Sequence, residues 1–298
     1  MDNRFYQQLD ALYRDAPRSV EDYLTRQLHA FREAEDEAGV IAASNELGSL
    51  FRGQGRLEES LGCFQEALDR LEALGDSQAF LTALLNRAGT LRLAGRCREA
   101  EADFRRVLSL LEGQDRDAVY IRASALNNLG LTCQTMGRMA EAEDCVKQGL
   151  ALMQTLPGMD GEAAASGNNL AAICLAGGRL EEAEGWLAPT LAYYQSAAGQ
   201  RDPHQANGWA TLAALRRRQG RPEEALDALD RAAPAMERFF GRSPQYAALR
   251  RDAALTACGL GRADSWARLQ EALALFQALG DQGEADRLQA LLEAEAAQ

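Results

Sequence analysis

The chain lacks a surplus of basic residues and any long apolar stretch. Its 298 residues include 32 Lys and Arg against 44 Asp and Glu, a net charge of -12 at pH 7. Because a long DNA or RNA footprint needs a basic surface, nucleic acid is not an expected partner. No apolar run reaches about 18 residues, the length typical of a membrane-spanning helix. The first residues, MDNRFYQQLDALYRDAPRSV, contain no apolar signal segment. We therefore expect a cytoplasmic protein that does not contact membranes.

Residues that carry catalysis or bind metals are also scarce. The two histidines, His29 and His204, have no Cys, Asp or Glu at the spacing of a known metal motif. The nucleophile motif G-x-S-x-G and the phosphate-binding P-loop are absent. The stretch GLGRAD at Gly259 lacks the strand that precedes phosphate-binding glycines. The sequence therefore predicts no enzyme, no metal site and no cofactor.

Aromatic residues are few and cysteines are unpaired in sequence. Aromatics make up 6% of the chain and hydrophobic residues 47%, with Ala and Leu abundant, a composition that favours packed helices over sheets. None of the six cysteines belongs to a C-x-x-C pair. Cys133 and Cys174 share one position of a sequence repeat, and Cys63 and Cys145 share another. This phasing favours free thiols in a helical core over disulfides or zinc ligands.

The chain does contain a repeat of about 41 residues, a period typical of helical repeat proteins. Six similar turns contain glycines that lie 40 to 42 residues apart. The turns read QGRLEES, AGRCREA, MGRMAEA, GGRLEEA, QGRPEEA and LGRADSW, with glycines at Gly55, Gly95, Gly137, Gly178, Gly220 and Gly261. In the first five repeats a small residue follows five positions after the glycine, and a larger apolar residue nine positions after it.

Each repeat predicts two helices, A and B, that are joined at the turn glycine. Glycine ends helix A, where a left-handed backbone is needed. Acidic residues such as Glu181 and Glu182 open helix B, as the helix dipole favours. Small residues seven positions before the turn glycine, such as Gly48 and Gly130, allow helix A to approach helix B. Because no single hairpin buries its apolar face alone, neighbouring hairpins must stack.

These spacings resemble the tetratricopeptide repeat over residues 37–281. The longer period, with LNNLG at residues 126–130 and GNNLA at residues 167–171, is similar to the kinesin-light-chain type of repeat. The whole chain resembles bacterial repeat proteins of this length. The resemblance implies an all-α, right-handed superhelical solenoid of antiparallel helix pairs. We expect one domain, 1–298, with a divergent N-terminal helix pair at 1–36, six repeats at 37–281 and a capping helix at 282–298.

Asparagine recurs in helix A at positions that face away from the expected core. Most of these asparagines lie nine or ten residues before the turn glycine, roughly 110° to 150° from the centre of the buried face. A carboxamide carries both donor and acceptor atoms, so a row of them can hold the backbone of an extended peptide. The predicted peptide-binding residues of the concave groove are Asn45, Asn86, Asn127, Asn128, Asn168, Asn169 and Asn207. The alternative is that these side chains only bond neighbouring repeats or water.

Arginines accompany the asparagines. The residues predicted to join the groove are Arg217, Arg218, Arg250 and Arg251. Arg52 and Arg92, three positions before their turn glycines, are predicted to lie at its edge. Because guanidinium groups favour bidentate contacts with carboxylates or phosphates, the C-terminal half of the groove is predicted to prefer an acidic segment or a C-terminal carboxylate. The alternative is a solvated face on an acidic protein.

Together these patterns predict a non-enzymatic scaffold that binds an extended segment of a partner protein. Two alternatives stay open: a structural protein whose repeats self-associate, and a regulator that senses a small peptide. The expected partner is another protein, without nucleic acid or membrane, and the chain itself is expected to be a monomer or a weak homo-oligomer. LNRAGTLRLAG at Asn86 resembles one element of the carboxylate clamp of chaperone-tail-binding repeats, but Asn45 and Ser49 depart from that clamp, so a chaperone partner is not expected.

Overall fold

The computed structural model describes residues 4–75, 77–112 and 115–296, which form fifteen α-helices and no β-strand. This confirms the predicted all-α solenoid. The helices are α1 (Arg4–Asp15), α2 (Val20–Glu33), α3 (Glu37–Gly53), α4 (Leu57–Leu74), α5 (Ser77–Leu93), α6 (Cys97–Leu110), α7 (Arg116–Thr135), α8 (Met139–Met153), α9 (Asp160–Ala176), α10 (Leu180–Gln195), α11 (Gln205–Arg218), α12 (Pro222–Phe240), α13 (Pro244–Gly259), α14 (Ser265–Leu279) and α15 (Gln282–Ala296). None of these helices combines the length and the hydrophobicity that a membrane crossing requires.

The predicted A and B helices pack as pairs around the turn glycines. The pairs are α3 with α4, α5 with α6, α7 with α8, α9 with α10, α11 with α12, and α13 with α14. All six turn glycines have a left-handed φ between 64° and 78°. Because a side chain makes this conformation costly, glycine is the residue that ends helix A here. The pair α1 and α2 precedes the repeats, and α15 packs on α14 after them.

Two compact units divide the chain, Met1–Leu156 and Pro157–Gln298. The N-terminal unit contains α1 to α8, and its largest fully buried side chains include Phe64 and Phe104. The C-terminal unit contains α9 to α15, with a core rich in Ala and Leu around Leu269 and Phe276. A single domain over the whole chain stays a prediction.

Glycines in two A helices bring the helices of a hairpin into close contact. A Cβ atom built at Gly48 would lie 2.8 Å from ring carbons of Phe64. At Gly130 it would lie 2.5 Å from Cγ2 of Val146 and 2.8 Å from the carbonyl oxygen of Ala142. Because carbon atoms in contact are normally about 3.5–4.0 Å apart, neither position has space for a side chain. The predicted close approach of helix A to helix B is therefore confirmed at both sites.

The arginine that follows each of the first five turn glycines joins its B helix by an ion pair that the sequence did not indicate. It is the N-cap residue of the helix, but its side chain does not bond the helix backbone. The guanidinium instead pairs with a glutamate three residues later: Arg56 with Glu59, Arg96 with Glu99, Arg138 with Glu141, Arg179 with Glu182, and Arg221 with Glu224. Arg138 also bonds both oxygens of Glu101 on α6 at 2.8 Å, and these bonds lower the pKa of Glu101. The acidic first turns thus form ion pairs as well as complementing the helix dipole.

Candidate peptide-binding cavity

A cavity of about 590 Å³ in the N-terminal unit is lined entirely by residues of the A helices α3, α5 and α7. These helices lie side by side, because α5 packs against both α3 and α7. The volume falls within the range of roughly 300–1,000 Å³ that is typical of ligand sites. The lining combines carboxamides, guanidinium groups and exposed apolar side chains, a composition suited to a peptide.

Two of the predicted asparagines, Asn86 on α5 and Asn128 on α7, line this cavity together. Both lie nine residues before their turn glycines, so adjacent repeats present the same position to the same space. Asn128 donates from Nδ2 to the carbonyl oxygen of Ser124 at 2.9 Å, which leaves its Oδ1 available. The carboxamide of Asn86 bonds no other residue in the described part of the chain. Both side chains are half-buried and can accept further hydrogen bonds.

The other predicted asparagines lie outside this cavity. Asn45 and Asn127, ten residues before their turn glycines, are half-buried, and Oδ1 of Asn45 is buried without a hydrogen-bond partner. Asn168, at the same position of the following repeat, is buried to 8% exposure, and its Oδ1 also lacks a partner. In the C-terminal unit, Asn169 is half-buried on α9 and Asn207 is exposed on α11. In the N-terminal unit, the asparagines nine residues before their turn glycine therefore reach the cavity, and those ten residues before it do not.

The predicted arginines do not form one cluster. Arg250 forms an ion pair with Glu271, and Arg251 pairs with Glu284 at 3.2 Å as well as with the adjacent Asp252. Two predicted arginines are exposed and form no ion pair with the residues that the structure describes: Arg217 and Arg218. The C-terminal basic residues are thus divided between internal ion pairs and solvent.

Two arginines that the sequence placed at the groove's edge line the cavity. Nη1 of Arg52 donates to the carbonyl oxygen of Asn86 at 3.5 Å, while Nε of Arg92 is buried without a hydrogen-bond partner. Neither guanidinium lies within 4 Å of a carboxylate in residues 4–75, 77–112 and 115–296. Burial lowers the pKa of both groups, and the charge of Arg52 contributes further to the lowering at Arg92. The shared position three residues before the turn glycine was visible in the sequence, whereas the lack of an acidic partner was not.

Two apolar side chains of the cavity were not singled out by sequence reasoning. Leu93, near the end of α5, is 51% exposed, and Tyr120, near the start of α7, is 40% exposed. The apolar periodicity of a helix identifies residues of its buried face, so it does not identify apolar residues on the opposite face. Exposed apolar residues beside polar groups are typical of binding surfaces.

The repeats match a known family. The family model described as tetratricopeptide repeat matches residues 39–113 and 121–196, just over half of the chain. The chain belongs to the tetratricopeptide repeat family.

Solved structures show the same fold for this tetratricopeptide repeat protein. BtubC (BKLC) from P. vanneervenii is 18% identical, with a TM-score of 0.62 over 75% of this chain and 92% of that one. A kinesin light chain with nearly identical TPR-like repeats from Podosopora anserina is 18% identical, with a TM-score of 0.51 over 67% of this chain and 96% of that one. The Rap protein in complex with the competence and sporulation factor is 15% identical, with a TM-score of 0.64 over 97% of this chain and 73% of that one. The expected tetratricopeptide-repeat fold is thereby confirmed. No curated protein matches the chain in sequence.

In the N-terminal unit of this tetratricopeptide repeat protein, one group of potential metal ligands is already engaged in ion pairs. Glu101, Cys133 and Glu141 bring one ligand atom each within 4.8 Å of one another. Both carboxylates are engaged by Arg138. Burial raises the pKa of the Cys133 thiol to about 11, so the thiol keeps its proton at neutral pH. Because Arg138 already engages both carboxylates, the group is described as a structural ion-pair network.

Proposed function

We propose that this tetratricopeptide repeat protein is a non-enzymatic scaffold that binds an extended segment of a partner protein across its A helices. The observation that supports the proposal most directly is that Asn86 and Asn128 line one cavity from the same position of adjacent repeats. A carboxamide can donate to a peptide carbonyl and accept from a peptide N–H, whatever the side chain of that residue. Carboxamides repeated at the period of the fold match a ligand that is itself periodic, and an extended backbone is such a ligand.

The spacing of the A helices fits an extended backbone. Packed helices lie about 8–10 Å apart, and an extended chain advances about 3.3 Å per residue, so neighbouring carboxamides would contact peptide groups about three residues apart. The peptide would therefore run across the A helices, from α7 towards α3 or in the reverse direction.

Side-chain selectivity would come from the apolar part of the cavity. Leu93 and Tyr120 are both exposed where they line it. An apolar or aromatic side chain of the bound segment would bury these two surfaces, and buried aromatic contacts often supply much of the binding energy of an interface. The carboxamides would then hold the backbone while these residues select the sequence.

A second surface is proposed in the C-terminal unit. Asn169 on α9 and Asn207 on α11 lie on A helices that pack against each other, and Arg217 and Arg218 end α11. The remaining predicted residues are left out of the proposed contacts. The carboxamide oxygens of Asn45 and Asn168 are buried, Arg250 and Arg251 form ion pairs, and Asn127 does not line the cavity.

The comparison with the Rap protein supports a binding role. That protein shares the fold of this chain and was solved in complex with the competence and sporulation factor. In this chain, the cavity on α3, α5 and α7 offers an accessible surface for such a ligand.

The proposal is tested by replacing both carboxamides of the cavity. Peptides that bind the full chain would be selected from a displayed random library, synthesised with a fluorescent label, and measured by anisotropy. We expect Asn86→Ala with Asn128→Ala to weaken their binding at least tenfold, because both backbone contacts are lost. Alanine is the better helix former by about 0.5 kcal/mol or more at each site, so thermal stability should be retained or slightly raised.

The matched control is Gln148→Ala, which removes an exposed carboxamide from α8 on the B-helix side. It should leave peptide affinity unchanged. Equal affinity of the wild type and the double asparagine variant for every selected peptide would refute the proposed function.

A further inference from the structure

The arginine pair of the cavity differs from most half-buried arginines of the chain. Partly buried arginines elsewhere, such as Arg87, Arg216 and Arg268, pair with carboxylates at 2.6 to 2.8 Å. Arg52 and Arg92 have no such partner among the described residues, although acidic residues outnumber basic ones by 44 to 32. Two cations without counter-ions in one cavity create a locally positive site on an acidic protein.

The third charged residue of the cavity does not neutralise this pair. Asp117 lies in the first turn of α7, twenty residues before its turn glycine, whereas Arg52 and Arg92 lie three residues before theirs. Within the repeat, the two positions are thus seventeen residues apart. At a rise of about 1.5 Å per residue, this separation is roughly 25 Å along the helix axes. The cavity therefore has one acidic end and one basic end.

Resting on the proposed function, we infer that Arg52 and Arg92 form an anion subsite for the side-chain carboxylate of an Asp or Glu residue in the bound segment. Guanidinium groups bind carboxylates through paired, charge-assisted hydrogen bonds, and two of them satisfy both oxygens. Nε of Arg92 is buried without a hydrogen-bond partner, so no described group of the chain already occupies this donor.

The geometry favours a side chain over a chain terminus. Arg92 lies six residues after Asn86 on α5, roughly 9 Å further along the helix axis. A backbone held by Asn86 and Asn128 would pass beside the arginines, and an acidic side chain would reach across to them. A C-terminal carboxylate would instead require the backbone to leave the asparagines. Leu93 follows Arg92 directly, so an apolar residue near the acidic one would complete the recognised sequence.

The first experiment examines the arginine pair without a peptide. The full chain, labelled with ¹⁵N at arginine, would be titrated with N-acetyl-glutamate amide while the Nε–H signals are recorded by NMR. We expect the Arg92 signal to shift with this compound and to stay in place with N-acetyl-glutamine amide at the same concentration. Equal shifts with the two compounds, or a response to inorganic phosphate at tenfold lower concentration, would overturn the carboxylate assignment.

The second experiment uses the selected peptides, acetylated and amidated at their ends. Replacing the acidic residue of the peptide with Gln or Asn should weaken binding to the wild-type protein at least tenfold. The same replacement should weaken binding to the double variant Arg52→Gln with Arg92→Gln less than threefold. The control, Arg18→Gln with Arg98→Gln, removes two exposed charges outside the cavity and should retain the tenfold preference. An equal preference in both double variants, or binding that needs a free C-terminal carboxylate, would contradict the subsite.

The two experiments separate this inference from the proposed function. If peptide binding depends on Asn86 and Asn128 but is unaffected by the acid-to-amide change, the anion subsite alone is refuted. A glutamate-specific NMR shift, together with peptides that do not depend on these asparagines, would refute the proposed function and leave the arginine pair as an anion site. Because the acid-to-amide change is made in the ligand, the comparison in the wild type holds even if an arginine variant folds poorly.

Discussion

At the scale of single residues, Gly130 is constrained by its close contact with the facing B helix. Its missing side chain leaves α7 close enough to α8 that a Cβ would meet both Val146 and the carbonyl oxygen of Ala142. The valine side chain can rotate, but the carbonyl belongs to the backbone of α8. Relief of the clash would therefore require the two helices to separate.

We expect Gly130→Ala to lower the free energy of unfolding by about 1–3 kcal/mol, the usual cost of overpacking a core. Urea denaturation followed by circular dichroism would measure it. The control is Gly62→Ala on α4, where no atom lies within 4 Å of the added Cβ. That change should stabilise the chain by about 0.5–1 kcal/mol through helix propensity alone. Equal stability of the two variants would contradict the tight contact at Gly130.

At the scale of elements, ion pairs join the two helices of a hairpin as well as successive B helices. The guanidinium of Arg87 on α5 bonds both oxygens of Asp103 on α6 at 2.8 Å. Asp103 is 8% exposed, so its charge is well shielded from water. A buried carboxylate that loses its partner is costly, whereas an exposed pair contributes little.

Arg87→Ala should therefore destabilise the chain by about 2–3 kcal/mol, because it leaves Asp103 buried and unpaired. Replacing both residues, Arg87→Ala with Asp103→Ala, should recover part of the loss, as measured in a double-mutant cycle by urea denaturation. The exposed pair of Arg242 and Glu237 is the comparison, and Arg242→Ala should leave the denaturation midpoint unchanged. A loss at Arg87 no larger than that at Arg242 would argue against a structural role for the buried pair.

At the scale of the whole molecule, most packing contacts join helices that are close to each other in the sequence. The extensive contacts of each described helix are with the next helix or the next but one along the chain. In repeat proteins of this kind, stability is close to a sum of repeat and nearest-neighbour contributions. A local change should therefore weaken its own hairpin and the adjoining helices first.

Hydrogen exchange of the Gly130→Ala variant should show this directly. We expect amide protection to fall most in α7 and α8, less in α6, and least in α1 and α2, because those two helices belong to a distant hairpin of the same unit. Exchange measured by mass spectrometry would resolve these segments. A uniform loss of protection from α1 to α8 would indicate that the unit unfolds only as a whole.

The sequence predicted the fold closely and the candidate site partly. Turn glycines such as Gly137, with small and large apolar residues at fixed distances after them, specify helix ends and core positions locally, so the hairpins could be located from spacing alone. The asparagines were harder to assign. Counting around an ideal helix placed the residues nine and ten positions before the turn glycine on the same open side. Asn128, nine positions before its glycine, lines the cavity, whereas Asn168, ten positions before its glycine, is buried.

The sequence by itself determined the repeat, the two helices of each unit and the small residues between them, because these depend on backbone conformation and on apolar periodicity within a few turns. Only the tertiary structure decided which polar side chains share a cavity and which are covered or ion-paired. Arg52 lies near Asn86 because α3 packs beside α5, while Arg250 meets Glu271 across another hairpin. Such partners are set by how helices pack in space, and residues 20 or more positions apart acquire them only when the chain has folded.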